Sequence, residues 1–201
     1  MKNLTKTLVA FSLGIVLLFS SFVAGALEKA IKQIILTGNV RVTLIQSNYE
    51  SVVIQQDYDH EKTVVKMVGN SLLINSQEHI PISVTVYAKA PYRIKASNTS
   101  CINTVGTLNV KNLQIMLSDK AKANVSTLTN SLYTLIKDDS RLRISGISQE
   151  HFANYDSSSQ IKMDRLVCLN TSTVITKPFI MNAKNIIISK KLFKKNKKMR
   201  S

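Results

Sequence analysis

From Ile31 onward the apolar residues arrive in short alternating runs, "IKQIIL", "VRVTLI", "SVVI", "TVVKMV", "SLLIN", "ISVTVYA" and "YRIKA", each closed by Gly, Asn, Asp, Pro or Ser. Val, Ile, Thr and Tyr dominate them, and branched or aromatic side chains at a period of two fit a pleated, half-buried surface. Nothing here sustains a 3.6-residue period, so helix is expected only in the leader and in the basic tail. The pattern predicts an all-β chain.

The second half repeats itself. Leu108, Leu128, Ile147 and Leu166 lie 20, 19 and 19 residues apart. Leu117, Ile136 and Tyr155 keep the step, as do Ala123, Leu142 and Ile161, and Val125, Ile144 and Met163. Polar corners recur with them: "SDKAK" from Ser118, "KDDSR" from Lys137 and "DSSSQ" from Asp156. A unit this short cannot bury an apolar face alone, whereas stacked copies can, with like residues over like. The expectation is a β-solenoid, or β-helix, of roughly 19-residue coils, and the alternative is an antiparallel β-sandwich with evenly spaced strands.

The first 26 residues read differently: "MKNLTK" is basic, "TLVAFSLGIVLLFSSFV" is uncharged, and "AGA" is small. That is the layout of a signal peptide, with cleavage expected between Ala26 and Leu27. An uncleaved anchor in the inner membrane is the alternative, since the 21 uncharged residues 7–27 are long enough to span a bilayer. Residues 27–189 then form one domain, and 190–201 a basic tail.

Charge sharpens that division. The chain carries a net +15, and seven of its 27 Lys and Arg fall in the tail "KKLFKKNKKMRS". A tail of this kind either meets an acidic surface, such as lipid headgroups or lipopolysaccharide, or is simply a solvated end. Export argues against a specific nucleic-acid partner.

The runs "GNVRVTLIQSNYESVVIQQD", "NSLLINS", "ISVTVYAKAPYRIKASNTS", "LQIMLSDKAKANV" and "LYTLIKDDSRLRISG" carry a further likeness. Together they resemble the family of putative auto-transporter adhesins, head GIN domain, over roughly residues 31–176. The resemblance implies an exported bacterial protein with a solenoid-like β domain and a binding role, and it brings no catalytic residues with it. The sequence departs from the family at its Ser-Gly-Ala-like corners, which here read Ser97-Asn98-Thr99, Ser118-Asp119-Lys120 and Lys137-Asp138-Asp139. Asn and Asp tolerate the left-handed backbone that Gly supplies, so the turns can survive.

Candidate chemistry is sparse. In the 19-residue register Asp119 lies over Asp138, which would bring two carboxylates to about 5 Å, a separation used by retaining glycosidases. The same register puts Lys120 over Asp139 and Lys137 over Asp156, so exposed ion pairs between coils are the expected role, with a weak cation site as an alternative. Lys122 over Arg141, with Arg143 two residues on, makes a basic column that either binds an anionic glycan or phosphate or is a solvated face. Tyr133 and Phe152 share a phase with Leu135 nearby. Outward they would form an apolar stripe, and a register shift of one would put them in the core. Cys101, in phase with Ala121, Ser140 and Ser159, is placed three coils from Cys168, beyond disulfide reach, so both thiols are expected to be free. His60, His79 and His151 have no partners at metal-ligand spacing, and no nucleophile elbow, phosphate loop or dinucleotide fingerprint occurs. Neither a metal nor a cofactor is predicted. The Asn-X-Ser triplets at Asn98, Asn124 and Asn170 are close to chance in so Asn- and Ser-rich a chain.

The functional expectation is a non-enzymatic exported binding module of the periplasm, outer membrane surface or extracellular space, with an adhesive role and a glycan or protein of the envelope as partner. The alternatives are a periplasmic structural or assembly factor and a polysaccharide-active β-helix enzyme.

Overall fold

A computed structural model of the chain describes residues 29–176. Among them there are thirteen strands and no helix: β1 (Gln33–Gly38), β2 (Val40–Gln46), β3 (Ser51–Ile54), β4 (Thr63–Val68), β5 (Ser71–Ser76), β6 (Ile82–Ala88), β7 (Arg93–Ala96), β8 (Cys101–Val105), β9 (Leu108–Asn109), β10 (Asn112–Leu117), β11 (Lys122–Ile136), β12 (Arg141–Asp156) and β13 (Gln160–Thr176). The seven alternating runs read from the sequence become β1 to β7, within a residue or two at the ends. The leader with its Ala26–Leu27 site, the stretch 177–189 and the tail 190–201 lie outside the described residues. No helix of the described residues is long and apolar enough to cross a membrane.

All thirteen strands belong to one curled, open sheet. Ten pairings are parallel. Only β3 on β6 and β4 on β5 are antiparallel, so the pairing is not that of an antiparallel sandwich. The strands fall into two rows: β5, β1, β7 and β10 follow one another in the first, and β6, β2 and β8 in the second. The long strands β11, β12 and β13, of 15, 16 and 17 residues, span both rows and pair along most of their length.

The 19-residue step is observed where it is expected, as Asn112 opposite Ser131, Lys122 opposite Arg141 and Arg141 opposite Gln160. It is not uniform. The preceding step is 21 residues, Cys101 to Lys122, and after an irregularity between Arg143 and Ser145 it becomes 20, Gly146 to Leu166. One extra residue on β13 bends the strand and shifts every later pairing by one. The column of leucines therefore resolves differently from the reading above. Leu108 faces Thr127 and is buried, whereas Leu128, Ile147 and Val167 form the true column and point outward at 42%, 53% and 64% exposure. Cys101 is likewise one residue out of the expected phase: it stands opposite Lys122 on the outer face, while Ser100, Ala121 and Ser140 line the inside of the corner. Cys101 and Cys168 are both free thiols.

Inward residues stack rung on rung. Leu72, Ile34, Ile94 and Ile115 form one column of the first row, and Val84, Val42, Ile102, Ala123 and Leu142 one of the second. All are buried within a single hydrophobic cluster. Each such Ile or Leu contributes about 1.5–3 kcal/mol by leaving water. Inward positions of the long strands also turn polar: Thr127, Thr129 and Ser148 are buried between the rows, and Thr134 and His151 within the first row, opposite Ile115 and Leu132. Their groups are satisfied locally: Thr127 Oγ1 donates to the Leu108 carbonyl at 3.0 Å, and Thr134 Oγ1 lies 2.9 Å from His151 Nε2.

Glycine serves a defined purpose at Gly146, with φ of +111°. A Cβ there would meet the Thr127 carbonyl oxygen at 1.9 Å, so only Gly lets β12 approach β11 this closely.

Candidate binding face

The polar corners are built on three left-handed residues, Asn98 (φ 58°), Asp119 (φ 60°) and Asp138 (φ 57°). Each turn closes with a backbone bond from the fourth residue to the first, Ser100 to Ser97, Ala121 to Ser118 and Ser140 to Lys137. The carboxylates tie successive corners together. Asp119 Oδ2 accepts the Asn98 N–H at 2.9 Å, Asp138 Oδ2 accepts the Asp119 N–H at 3.2 Å, and Asp156 Oδ2 accepts the Asp138 N–H at 2.6 Å. Asp156, which partial desolvation by itself would raise, is held below the usual carboxylate value by the bonds it accepts from Asp138, Ser158 and Ser159.

This ladder replaces the expected ion pairs. Neither Lys120–Asp139 nor Lys137–Asp156 comes within 4.0 Å, and the ion pair found among the described residues joins Lys62 and Asp59 at 2.9 Å. The physical reason is that a short carboxylate reaches the neighbouring rung's amide directly, whereas holding two long exposed side chains together costs entropy for little gain. One oxygen of each carboxylate, Oδ2, is thus committed to the backbone amide of the neighbouring corner.

A different face collects charge. On the outer surface of the second row the pleat alternates so that Ala123, Leu142 and Ile161 point in and their neighbours point out. Two outward columns result: Arg41, Cys101, Lys122, Arg141 and Gln160, and beside it Asn103, Asn124, Arg143 and Lys162. Rungs are about 4.8 Å apart. The extra residue on β13 brings Arg165, rather than Asp164, opposite Ser145, so a further cation extends the face. Arg41, Lys122, Arg141, Arg143, Lys162 and Arg165 are all exposed, and none has a carboxylate of the described residues within 4.0 Å. Three shallow depressions mark the surface, one of about 390 Å³ bordered by Lys122, Arg141 and Arg143, one of about 290 Å³ bordered by Arg143, Lys162, Arg165 and Asp164, and one of about 360 Å³ bordered by Lys120, Lys122, Arg141 and Asp139. The six cations outnumber the two carboxylates, Asp139 and Asp164, that share these depressions, so the face is net basic and attracts anions.

The aromatic candidates sit elsewhere. Tyr133 and Phe152 are direct neighbours on β11 and β12, with Gln114 and Ser172 completing the column. They belong to the first row, and because Leu132, Thr134 and Ala153 are buried, they point outward, Phe152 at 47% exposure. The core alternative fails for that reason. Lys122, Arg141 and Arg143 therefore share one face, and Tyr133 and Phe152 another. Arg93, on the same side as the aromatics, donates to Gln114 Oε1 at 2.8 Å and to Gln33 Oε1 at 3.2 Å. The sequence reading missed Lys162 and Arg165. Lys162 keeps the 19-residue step from Arg143 and was available to it, whereas Arg165 depended on the irregularity.

An all-β fold of mostly parallel rungs, with a basic outer face carrying shallow depressions, offers a contact surface. Over residues 31–176 the chain matches the family described as putative auto-transporter adhesin, head GIN domain, and it belongs to that family. Solved structures similar in fold include a putative adhesin from Bacteroides fragilis (TM-score 0.60, 15% identity, covering 79% of this chain and 78% of that one). A putative lipid binding protein from Parabacteroides distasonis is similar at TM-score 0.57 and 12% identity, covering 73% and 75%. A putative adhesin from the same organism follows at 0.53 and 16%, covering 78% of each. At these identities the likeness concerns the fold. No curated protein matches the chain. The family and these neighbours carry the names of adhesins or a lipid-binding protein, not of enzymes.

Proposed function

We propose that the protein is an exported, non-enzymatic binding module of the cell envelope or cell surface, a short β-solenoid that adheres to anionic groups through the outer face of its second row. The observation that carries this reading is the face of six exposed cations, Arg41, Lys122, Arg141, Arg143, Lys162 and Arg165, none of them ion-paired among the described residues. The ligand chemistry that fits is phosphate or carboxylate presented repeatedly along a polymer or a headgroup layer, because the cations are themselves repeated at rung spacing. Rigidity supports it: a hydrogen-bonded plane presents the charges already ordered, so little entropy is lost on contact. Membership of a family named for adhesins agrees with export and display.

The test has two parts. External protease applied to intact cells should digest the chain, and its mature start should be Leu27; protection until the outer membrane is opened would put the module in the periplasm. Binding to anionic phospholipid vesicles and to a carboxylated polysaccharide separates the two ligand sources. A Lys or Arg near an anionic surface is worth roughly a fivefold change in affinity, so replacing Lys122, Arg141 and Arg143 together by Gln should weaken binding about 100-fold. Binding that ignores both these substitutions and added salt would refute the reading.

A second reading, a periplasmic assembly factor whose protein partner covers Tyr133 and Phe152, is favoured by the exposure of Phe152. It predicts a stable complex lost in Phe152→Ser and kept in the Gln variant.

A further inference from the structure

The outer face of the second row is cationic along one margin only. Towards the other margin the same outward series turn apolar, strand after strand. On β2 the series is Arg41, Thr43 and Ile45, because Val42 and Leu44 between them are buried. On β12 it is Arg141, Arg143, Ser145 and Ile147, set by the buried Leu142 and Ile144. Ile45 stands opposite both Tyr87 on β6 and Val105 on β8. Leu128, Ile147 and Val167 make the corresponding column on β11, β12 and β13. Counting on from Asn103 opposite Asn124, Val105 reaches Ser126, one pleat short of Leu128, so the two columns meet. Val105 is 56% exposed, and at the β6 end Tyr49, half exposed, stacks on Tyr87 with ring centroids 5.2 Å apart. An apolar ridge thus crosses six neighbouring strands, about 24 Å at strand spacing.

We infer that this ridge is a membrane-contact element: the protein docks on a lipid bilayer with its cations on anionic headgroups and the ridge at the boundary with the acyl chains. The inference rests on the basic face being the binding surface, and it selects a bilayer from the anionic ligands which that reading admits. A dissolved polyanion offers charge but no apolar phase, and it leaves the ridge in water. A bilayer offers both at neighbouring depths. Arg143 and Ile147 are four residues apart on one strand, about 13 Å at the usual rise. Apolar faces of interfacial proteins sink about 5–10 Å into the headgroup and acyl boundary, so a tilted strand brings both levels into place. Long Lys and Arg side chains make up the remainder by reaching towards the headgroups. The ridge is one residue wide and drawn out from strand to strand, which suits a fluid boundary, whereas the anchors of a protein interface cluster at its centre. Tyrosine, at the β6 end, is a residue type that settles at the membrane–water boundary.

The chain contains no Trp, so one introduced on the ridge reports its own surroundings. With vesicles of phosphatidylcholine and phosphatidylglycerol, the emission of Ile147→Trp should shift to the blue and be quenched by lipids brominated on their acyl chains. Phe152→Trp, on the other outer face, should do neither. Leu128→Thr combined with Ile147→Thr keeps branched, strand-favouring side chains while removing apolar surface. It should weaken vesicle binding about tenfold and leave binding to soluble polyphosphate unchanged. Val105→Trp carries the same test if Ile147→Trp does not fold. Vesicle binding without the shift and quenching would overturn the inference while the basic face stands as a binding surface. So would polyphosphate binding without vesicle binding. Failure to bind either vesicles or polyphosphate would remove the reading of the basic face, and the inference with it.

Discussion

Replacing Asp138 by Ala removes two things at once, and their sizes can be worked from the corner geometry. The Asp119 N–H loses its acceptor at 3.2 Å. At an exposed site this is worth about 0.5–1 kcal/mol, the low end for a hydrogen bond, because water can substitute. The backbone at φ 57° also acquires a residue that disfavours the left-handed region, at a cost of about 1–2 kcal/mol. The total is about 2 kcal/mol, which for a chain of this size lowers Tm by about 4–8 °C. Asp138→Gly loses the hydrogen bond but is at ease at this φ, so it should fall by about 1 kcal/mol, and Asp138→Asn, the residue type already present at Asn98, by less still. Thermal and urea unfolding followed by circular dichroism would rank the three. If Ala and Gly unfold together, or Ala matches the parent, the left-handed ladder is not what holds the corners and the argument fails.

Two further predictions follow from the same structure. Gly146→Ala and Gly69→Ala both place Ala at positive φ, but only at Gly146 does the new Cβ meet a backbone oxygen, at 1.9 Å. Gly146→Ala should therefore cost well over the roughly 1–2 kcal/mol of Gly69→Ala in urea unfolding, and equal losses would show that β12 can retreat from β11. Burial lowers the pKa of His151 from its ordinary 6.5. The unfolded chain then takes up the proton first, so stability is complete above pH 6.5 and falls by up to about 1.4 kcal/mol per pH unit as pH drops towards the folded value. His151→Gln should flatten that slope. At more acid pH a separate loss begins as Asp156, depressed in the fold, is protonated: its contribution is present above about pH 3.9 and disappears as pH falls through the folded value.

Much of this architecture is legible along the chain, because a pleated strand has a period of two and a stacked rung repeats its own register. Those periodicities determined the strand class, the seven runs of the first half, the stacking of Leu117 on Ile136 and Tyr155, and the column of Lys122 and Arg141. They also placed Asp119 beside Asp138. The rest depended on geometry that no fixed step contains. The antiparallel strands β3 and β4 interrupt the first half, so β1 pairs with β5 and β7 at distances no short repeat reveals. One extra residue on β13 moved Arg165 onto the basic face and Leu166 out of the column of Ile147. Which way Tyr133 and Phe152 point, and whether a corner is held by ion pairs or by carboxylates on amides, followed from the facing of whole strands in the sheet. The sequence by itself determined the strands and the 19-residue stacking of β10, β11 and β12; only the tertiary structure decided the pairing of the first half, the shifted register of β13 and which side of each stack meets water, because inside and outside are set by the row packed across the core.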